Sequence, residues 1–178
     1  MKQNEQIWIK RNYETCSGCR RCEIACSLYH EGKIWPEASR IRIFMLVPGI
    51  EIPHLCFQCN DYPCVDACTS EALSINNKTG AININNSKCI SCGLCIDACP
   101  GDVPHLHPGK DTIVICDLCG GTPKCVDVCQ KGKLNALEVI SKLEIAELEK
   151  LAEKPKELTI KVAKKILGEE ILKEVLSL

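Results

Sequence analysis

Residues Arg40 to Val47, RIRIFMLV, alternate basic and apolar side chains until Pro48-Gly49 interrupts them, the period-two pattern of a strand with one buried face. The same signal returns, shorter, in Leu73 to Asn76 and Ala81 to Asn85, which a turn containing Gly80 joins into a hairpin, and again in Thr112 to Ile115. From Lys133 the period changes. Leu134, Leu137, Ile140, Leu143, Ile145, Leu148 and Leu151 recur at helical steps and predict one helix running to the break at Lys154-Pro155. Two shorter helices follow, Leu158 to Leu167 and Glu169 to Leu176, with Gly168 between them. The tail reads as a helical appendix folded back on what precedes it, or as a docking arm for a partner or a second copy. The longest apolar run, Ile43 to Ile52, is broken by Pro48, Gly49 and Glu51 and falls short of the roughly 18 residues of a membrane span.

Composition changes this picture at one point. Of the 178 residues 46% count as hydrophobic, but that share includes 16 cysteines while aromatics are only 4%, so much of it is metal ligand rather than core. The N-terminal segment is polar and lacks the apolar stretch of a signal peptide, and Arg20-Arg21 lies between two cysteines rather than in an export signal. The expectation is a cytoplasmic protein, where thiols in this number are held by metal rather than by one another.

The cysteines fall into four quartets with none left over. Cys16, Cys19, Cys22 and Cys26 form C-x2-C-x2-C-x3-C; Cys56, Cys59, Cys64 and Cys68 form C-x2-C-x4-C-x3-C. Cys89, Cys92, Cys95 and Cys99, followed by Pro100, form the bacterial ferredoxin run, and Cys116, Cys119, Cys125 and Cys129 form C-x2-C-x5-C-x3-C. Zinc ribbons also use C-x2-C doublets, but separate two of them by a dozen or more residues. Here two to five residues separate the third thiol from the second, which suits three corners of a cubane plus a fourth thiol directed elsewhere. All sixteen are therefore read as ligands of four [4Fe-4S] clusters. Ser17, Gly18, Ser91, Gly93, Gly120 and Gly121 in the loops let backbone N–H groups approach inorganic sulfur.

With about two negative charges per oxidised cluster added to a formal net charge of -1, the loaded protein is acidic, which argues against a nucleic-acid partner. His30, His54, His105 and His107 are read as structural or exposed, since the ligand places are taken. Arg20, Arg21, Lys88, Lys110 and Lys124 either offset cluster charge or are ordinary solvated side chains. No phosphate loop, catalytic triad order or H-E-x-x-H motif is present, so the chain itself is read as non-catalytic. The hairpin between quartets two and three makes Cys56 to Pro100 a two-cluster module of the split β-α-β kind.

Taken in order, CSGCRRCEIACSLYHEG, SRIRIF, CFQCNDYPCVDAC, TGAI, KCISCGLCIDACP and CDLCGGTPKCVDVC resemble the four-cluster ferredoxin-like electron-transfer subunits of molybdenum and tungsten oxidoreductases, formate dehydrogenases and some hydrogenases. The resemblance covers about residues 5–135. It implies an α+β fold of two nested ferredoxin-like modules in residues 1–132, an inner one at about 53–104 and an outer one from 1–52 plus 105–132, followed by the helical extension 133–178. It also implies crossed ligation: Cys16, Cys19, Cys22 with Cys129; Cys116, Cys119, Cys125 with Cys26; Cys56, Cys59, Cys64 with Cys99; and Cys89, Cys92, Cys95 with Cys68. Thr69 and Gln130 stand where many relatives carry proline. The implied job is relaying single electrons between a larger tungsten- or molybdenum-pterin subunit and a soluble acceptor such as ferredoxin. The chain is most similar to the small subunits of tungsten-dependent aldehyde oxidoreductases. A formate dehydrogenase or hydrogenase subunit, and a stand-alone polyferredoxin or maturation protein, are the alternatives.

Overall fold

The computed structural model describes residues 6–144 and 152–177. Among them eight strands pair as four two-stranded antiparallel sheets.

The alternating segment at Arg40 forms β2 (Ile41–Val47), which pairs with β3 (Ile50–Leu55) across the Pro48-Gly49 turn. Gly49 takes φ +77° there, a left-handed conformation that favours glycine. Ile41, Ile43, Val47, Ile50, Ile52 and Leu55 are buried, so this hairpin gives six apolar side chains to the core. The sequence reading missed β3, because Pro48, Gly49 and Pro53 punctuate the run that contains it. The hairpin at 73–85 is present as β4 (Leu73–Ile75) and β5 (Ile82–Ile84). The strand at Thr112 narrows to β7 (Ile113–Val114), paired with β6 (His105–Leu106).

One prediction is corrected. The helix expected from Leu134 onward is a strand over β8 (Leu137–Ser141), paired antiparallel with β1 (Ile7–Arg11) in the register Trp8 to Ile140 and Arg11 to Leu137. The segment LEVIS satisfies both periods, and the hydrogen-bonding partner that decides between them lies near the other end of the chain. Residues 142–144 make a short 3-10 turn, and the rest of that predicted helix, 145–151, lies outside the described residues.

The two later helices match their prediction. α5 (Pro155–Leu167) has Pro155 at its first position, and the Glu157 carboxylate accepts from the Lys154 N–H at its start. Gly168, at φ +82°, separates it from α6 (Glu169–Leu176). α5 packs on β2 and β3, burying Leu158, Val162 and Ala163, so the end of the described chain closes over the hairpin. No helix among the described residues is long and apolar enough to cross a membrane.

Candidate iron–sulfur sites

The third cysteine of every quartet sits in the first or second position of a helix, and the fourth follows four residues later, one turn along. Cys22 and Cys26 lie on α1 (Arg21–Glu31), and Cys125 and Cys129 on α4 (Lys124–Lys131). Cys64 and Cys95 lie on the single turns α2 (Pro63–Asp66) and α3 (Leu94–Asp97), with Cys68 and Cys99 just beyond them. One helical turn carries a thiol about 5–6 Å along the axis, out of its own loop. Because α1 packs on α4 and α2 on α3, that thiol arrives at the loop of the partner helix.

Four groups result. Site A is a cavity lined by Cys16, Cys19, Cys22 and Cys129, and site B one lined by Cys26, Cys116, Cys119 and Cys125. Site C is lined by Cys56, Cys59, Cys64 and Cys99. At site D, Cys95 has Cys68, Cys89 and Cys92 as its charged neighbours. Thus the fourth thiol of each quartet stands with the first three of another. The sites also follow one another: Cys125 of B interacts with Cys22 of A, and Cys116 of B with Cys56 of C. Only Cys19 in A and Cys92 in D are exposed.

Burial governs the protonation of these thiols. It pushes Cys22 and Cys56 up to about 12 and Cys95 and Cys119 up to about 11, with neighbouring thiols or carboxylates adding to it and backbone N–H groups opposing it. Cys64 and Cys125 are raised further, and Cys116 well above its ordinary value, for the same reason. At Cys68 and Cys89 burial also opposes ionisation, but amides of Leu73, Ser70 and Ala72 and, for Cys89, of Ser91 and Ile113 with the Thr112 hydroxyl outweigh it. The free thiols are thus mostly protonated, and a cation is needed to draw off the proton.

The donor geometry distinguishes between metals. Zinc with four thiolates at about 2.3 Å holds its sulfurs about 3.8 Å apart. Among the described residues, the one group of three ligand atoms all within 4.8 Å of one another is His30, Asp117 and Cys119, so no quartet brings three sulfurs that close. All sixteen thiols are free of disulfides. Open, thiol-lined cavities fit a polynuclear cluster and do not fit a single zinc ion. Backbone N–H groups already point at sulfur, from Arg40 to Cys26 at 3.2 Å and from Gln58 to Cys56 at 3.3 Å. Gln58 Nε2 and two nitrogens of Arg11 are buried donors without a hydrogen-bond partner among the described residues, of the kind an anionic, sulfide-rich group accepts from.

The histidines divide. His54 is buried, with Nε2 at 2.6 Å from the Gly101 carbonyl, and His107 lies within 3.2 Å of buried Glu31. His30 stands closer to the sites than expected, its Nε2 3.7 Å from Cys119 Sγ and 3.3 Å from Asp117. Glu23 and Arg11, both buried, carry no motif and were not singled out from sequence.

These features define an iron–sulfur protein, and the chain belongs to the 4Fe-4S dicluster domain family, whose pattern it matches over residues 48–139. Residues 13–29 match a 4Fe-4S binding domain. It binds [4Fe-4S] clusters, and its 16 cysteines fit four. It is 52% identical over 166 residues to the aliphatic sulfonate oxidoreductase, polyferredoxin-like subunit of Pyrococcus furiosus, covering 93% of this chain and 96% of that one. It is 27% identical to the formate dehydrogenase-O iron–sulfur subunit of Escherichia coli, covering 75% of this chain and 55% of the relative. A similar solved structure is the active site complex BamBC of benzoyl coenzyme A reductase, at 21% identity and a TM-score of 0.43, covering 97% of this chain and 98% of that chain.

Proposed function

We propose that this chain is the electron-transfer subunit of an oxidoreductase complex. It relays single electrons through four [4Fe-4S] clusters between a larger tungsten- or molybdenum-pterin subunit and a soluble acceptor such as ferredoxin. The observation that carries the reading is the arrangement of the cysteines: sites A, B and C stand beside one another, α3 of site D packs on α2 of site C, and the groups with an exposed cysteine are A, around Cys19, and D, around Cys92. When bound, the clusters supply the one-electron chemistry.

The protein's part is positional. α1 with α4, and α2 with α3, each exchange a cysteine, so that residues 53–104 form an inner two-cluster module nested within an outer one. The crossed sets are A, Cys16, Cys19, Cys22 and Cys129; B, Cys26, Cys116, Cys119 and Cys125; C, Cys56, Cys59, Cys64 and Cys99; and D, Cys68, Cys89, Cys92 and Cys95. Buried Ile9, Ile41, Leu55 and Leu118 line site B and buried Ile82 lines site C, where they keep water out. The chain has no catalytic residues of its own in this reading, and acts in the cytoplasm.

The substrate class belongs to the partner. The 52% identical relative covers both chains nearly end to end, and its name favours a catalytic subunit acting on aliphatic sulfonates over one acting on aldehydes. A formate dehydrogenase partner is the second reading, supported by the 27% identical subunit. Anaerobic affinity purification from the native host tests the proposal: a larger chain carrying tungsten or molybdenum co-purifies, and the small chain holds about sixteen irons. A chain that runs alone, or carries zinc without colour, sinks it.

A further inference from the structure

β1 ends in Arg11, the one lysine or arginine among the described residues that is buried, at 8% exposure. Its guanidinium lies between two aromatic rings, 4.8 Å from the Trp8 centroid and 4.2 Å from that of Phe57. Nη2 donates to the carbonyls of Leu55 at 3.1 Å and Cys56 at 2.7 Å, while Nε and Nη1 hold no partner. Among the described residues no nitrogen of it meets a carboxylate. Its electrostatic neighbours include the Tyr13 hydroxyl and three thiols, Cys56 of site C and Cys116 and Cys125 of site B.

A buried cation without a counter-charge is costly, and a protein keeps one only where something anionic compensates it. Two aromatic faces offset part of the cost, and two carbonyls another part. Full compensation requires anions on the two sides where the cysteines stand, and each oxidised four-iron core with four thiolates brings about two negative charges. We propose that Arg11 is the shared counter-cation of the two central iron–sulfur sites, B and C, and holds their reduction potentials above the values they would have without it. This rests on the cluster-relay reading given above. Reduction adds one negative charge to a site, and a fixed positive charge in a dry interior favours that state on both sides. Sites A and D, with exposed cysteines, are screened by water and salt and depend less on it. The same side chain joins the outer module, through β1, to the start of the second quartet.

The test is a potentiometric titration of the holoprotein followed by electron paramagnetic resonance, with iron counted in each sample. The terminal signals are assigned beforehand by their loss in Cys19→Ala and Cys92→Ala. In Arg11→Met the two central signals move to lower potential, about a tenfold fall in the reduced-to-oxidised ratio at fixed poise, ~59 mV for one electron. The terminal signals stay, and Arg11→Lys, which keeps the charge, restores the central pair. If Arg11→Met fails to assemble its iron while Arg11→Lys assembles about sixteen at wild-type potentials, the charge requirement stands. The proposal is overturned if Arg11→Met leaves the central potentials unchanged, if Arg11→Lys falls as far as Arg11→Met, or if neither variant assembles, since the residue is then a packing element. A wild-type protein without iron would instead overturn the cluster reading itself.

Discussion

Oε1 of Glu23 accepts a hydrogen bond from the backbone N–H of Ile43 at 2.7 Å, and both residues are buried. Among the described residues β2 pairs with β3 alone, so its other edge has no strand to accept from it. The Ile43 N–H is met instead by α1, and the carboxylate there fixes the helix that carries Cys22 and Cys26 against β2. Its other oxygen is held by Arg20 at 3.3 Å. Glu23→Ala leaves a buried N–H unpaired and costs about 1.5–3 kcal/mol, the range for a hydrogen bond to a charged group. Glu23→Gln keeps the acceptor and loses less. Denaturant midpoints of the two variants under anaerobic conditions check the order.

Gly101 carries a packing prediction. A Cβ there would stand 2.9 Å from Cε2 of Phe57. That ring is 2% exposed, covered by the Arg11 guanidinium on one side and by the His54 ring at 5.5 Å, so it has no room to retreat. Gly101→Ala is expected to destabilise by about 1–3 kcal/mol as an overpacked core position. Gly93, where an added Cβ meets nothing within 4 Å, is the comparison: its cost comes from φ +84° alone. Thermal unfolding of the two variants side by side separates steric from conformational strain.

Glu31 sets an acid limit. Burial opposes its ionisation, but hydrogen bonds from Lys110 and Arg40, with the His107 ring 3.2 Å away, outweigh it and hold the carboxyl down at about 2, against 4.5 for a free one. The folded state therefore binds its proton less readily than the unfolded chain. The stability this contributes is complete above pH about 4.5 and is lost as pH falls toward about 2. Glu31→Gln is expected to be less stable than wild type at pH 7 and to show a flatter decline across that window. Emission of Trp35, whose ring stands edge-on to His107 at 5.2 Å, follows unfolding locally. An unchanged slope in the variant would remove Glu31 as the cause.

Much of this architecture can be read from the residues alone, and the exceptions share a cause. The quartets declare themselves because a cubane site draws three ligands from one short loop, so spacing within a dozen residues is enough. The β4–β5 hairpin and the helix pair around Gly168 are likewise local, set by alternation, a turn and a break. β8 was misread because LEVIS satisfies two periods, and its partner Ile7–Arg11 lies at the other end of the described chain. Arg11 and Glu23 were invisible for a related reason. Nothing in IWIKR or CEIAC says that these two charges face the interior; only the closing of β1 on β8 and of α1 on β2 puts them there.

The exchange of cysteines between helices is the last point to test, and Cys129 tests it best. It sits on α4 with Cys125, eight residues of one continuous helix, so chain proximity would assign both to the same cluster. The fold instead puts Cys129 among the residues lining site A with Cys16, Cys19 and Cys22, while Cys125 lines site B with Cys26, Cys116 and Cys119. Cys129→Ala is therefore expected to lower iron from about sixteen per chain to about twelve and to abolish the signal that Cys19→Ala also abolishes. The signal that Cys119→Ala removes should survive in it. Both sites are buried against the same α1–α4 contact, so a general collapse would take both signals together, and retention of site B distinguishes ligand loss from misfolding. If Cys129→Ala removes the Cys119 signal and spares the Cys19 one, each quartet serves its own cluster and the crossed relay is wrong.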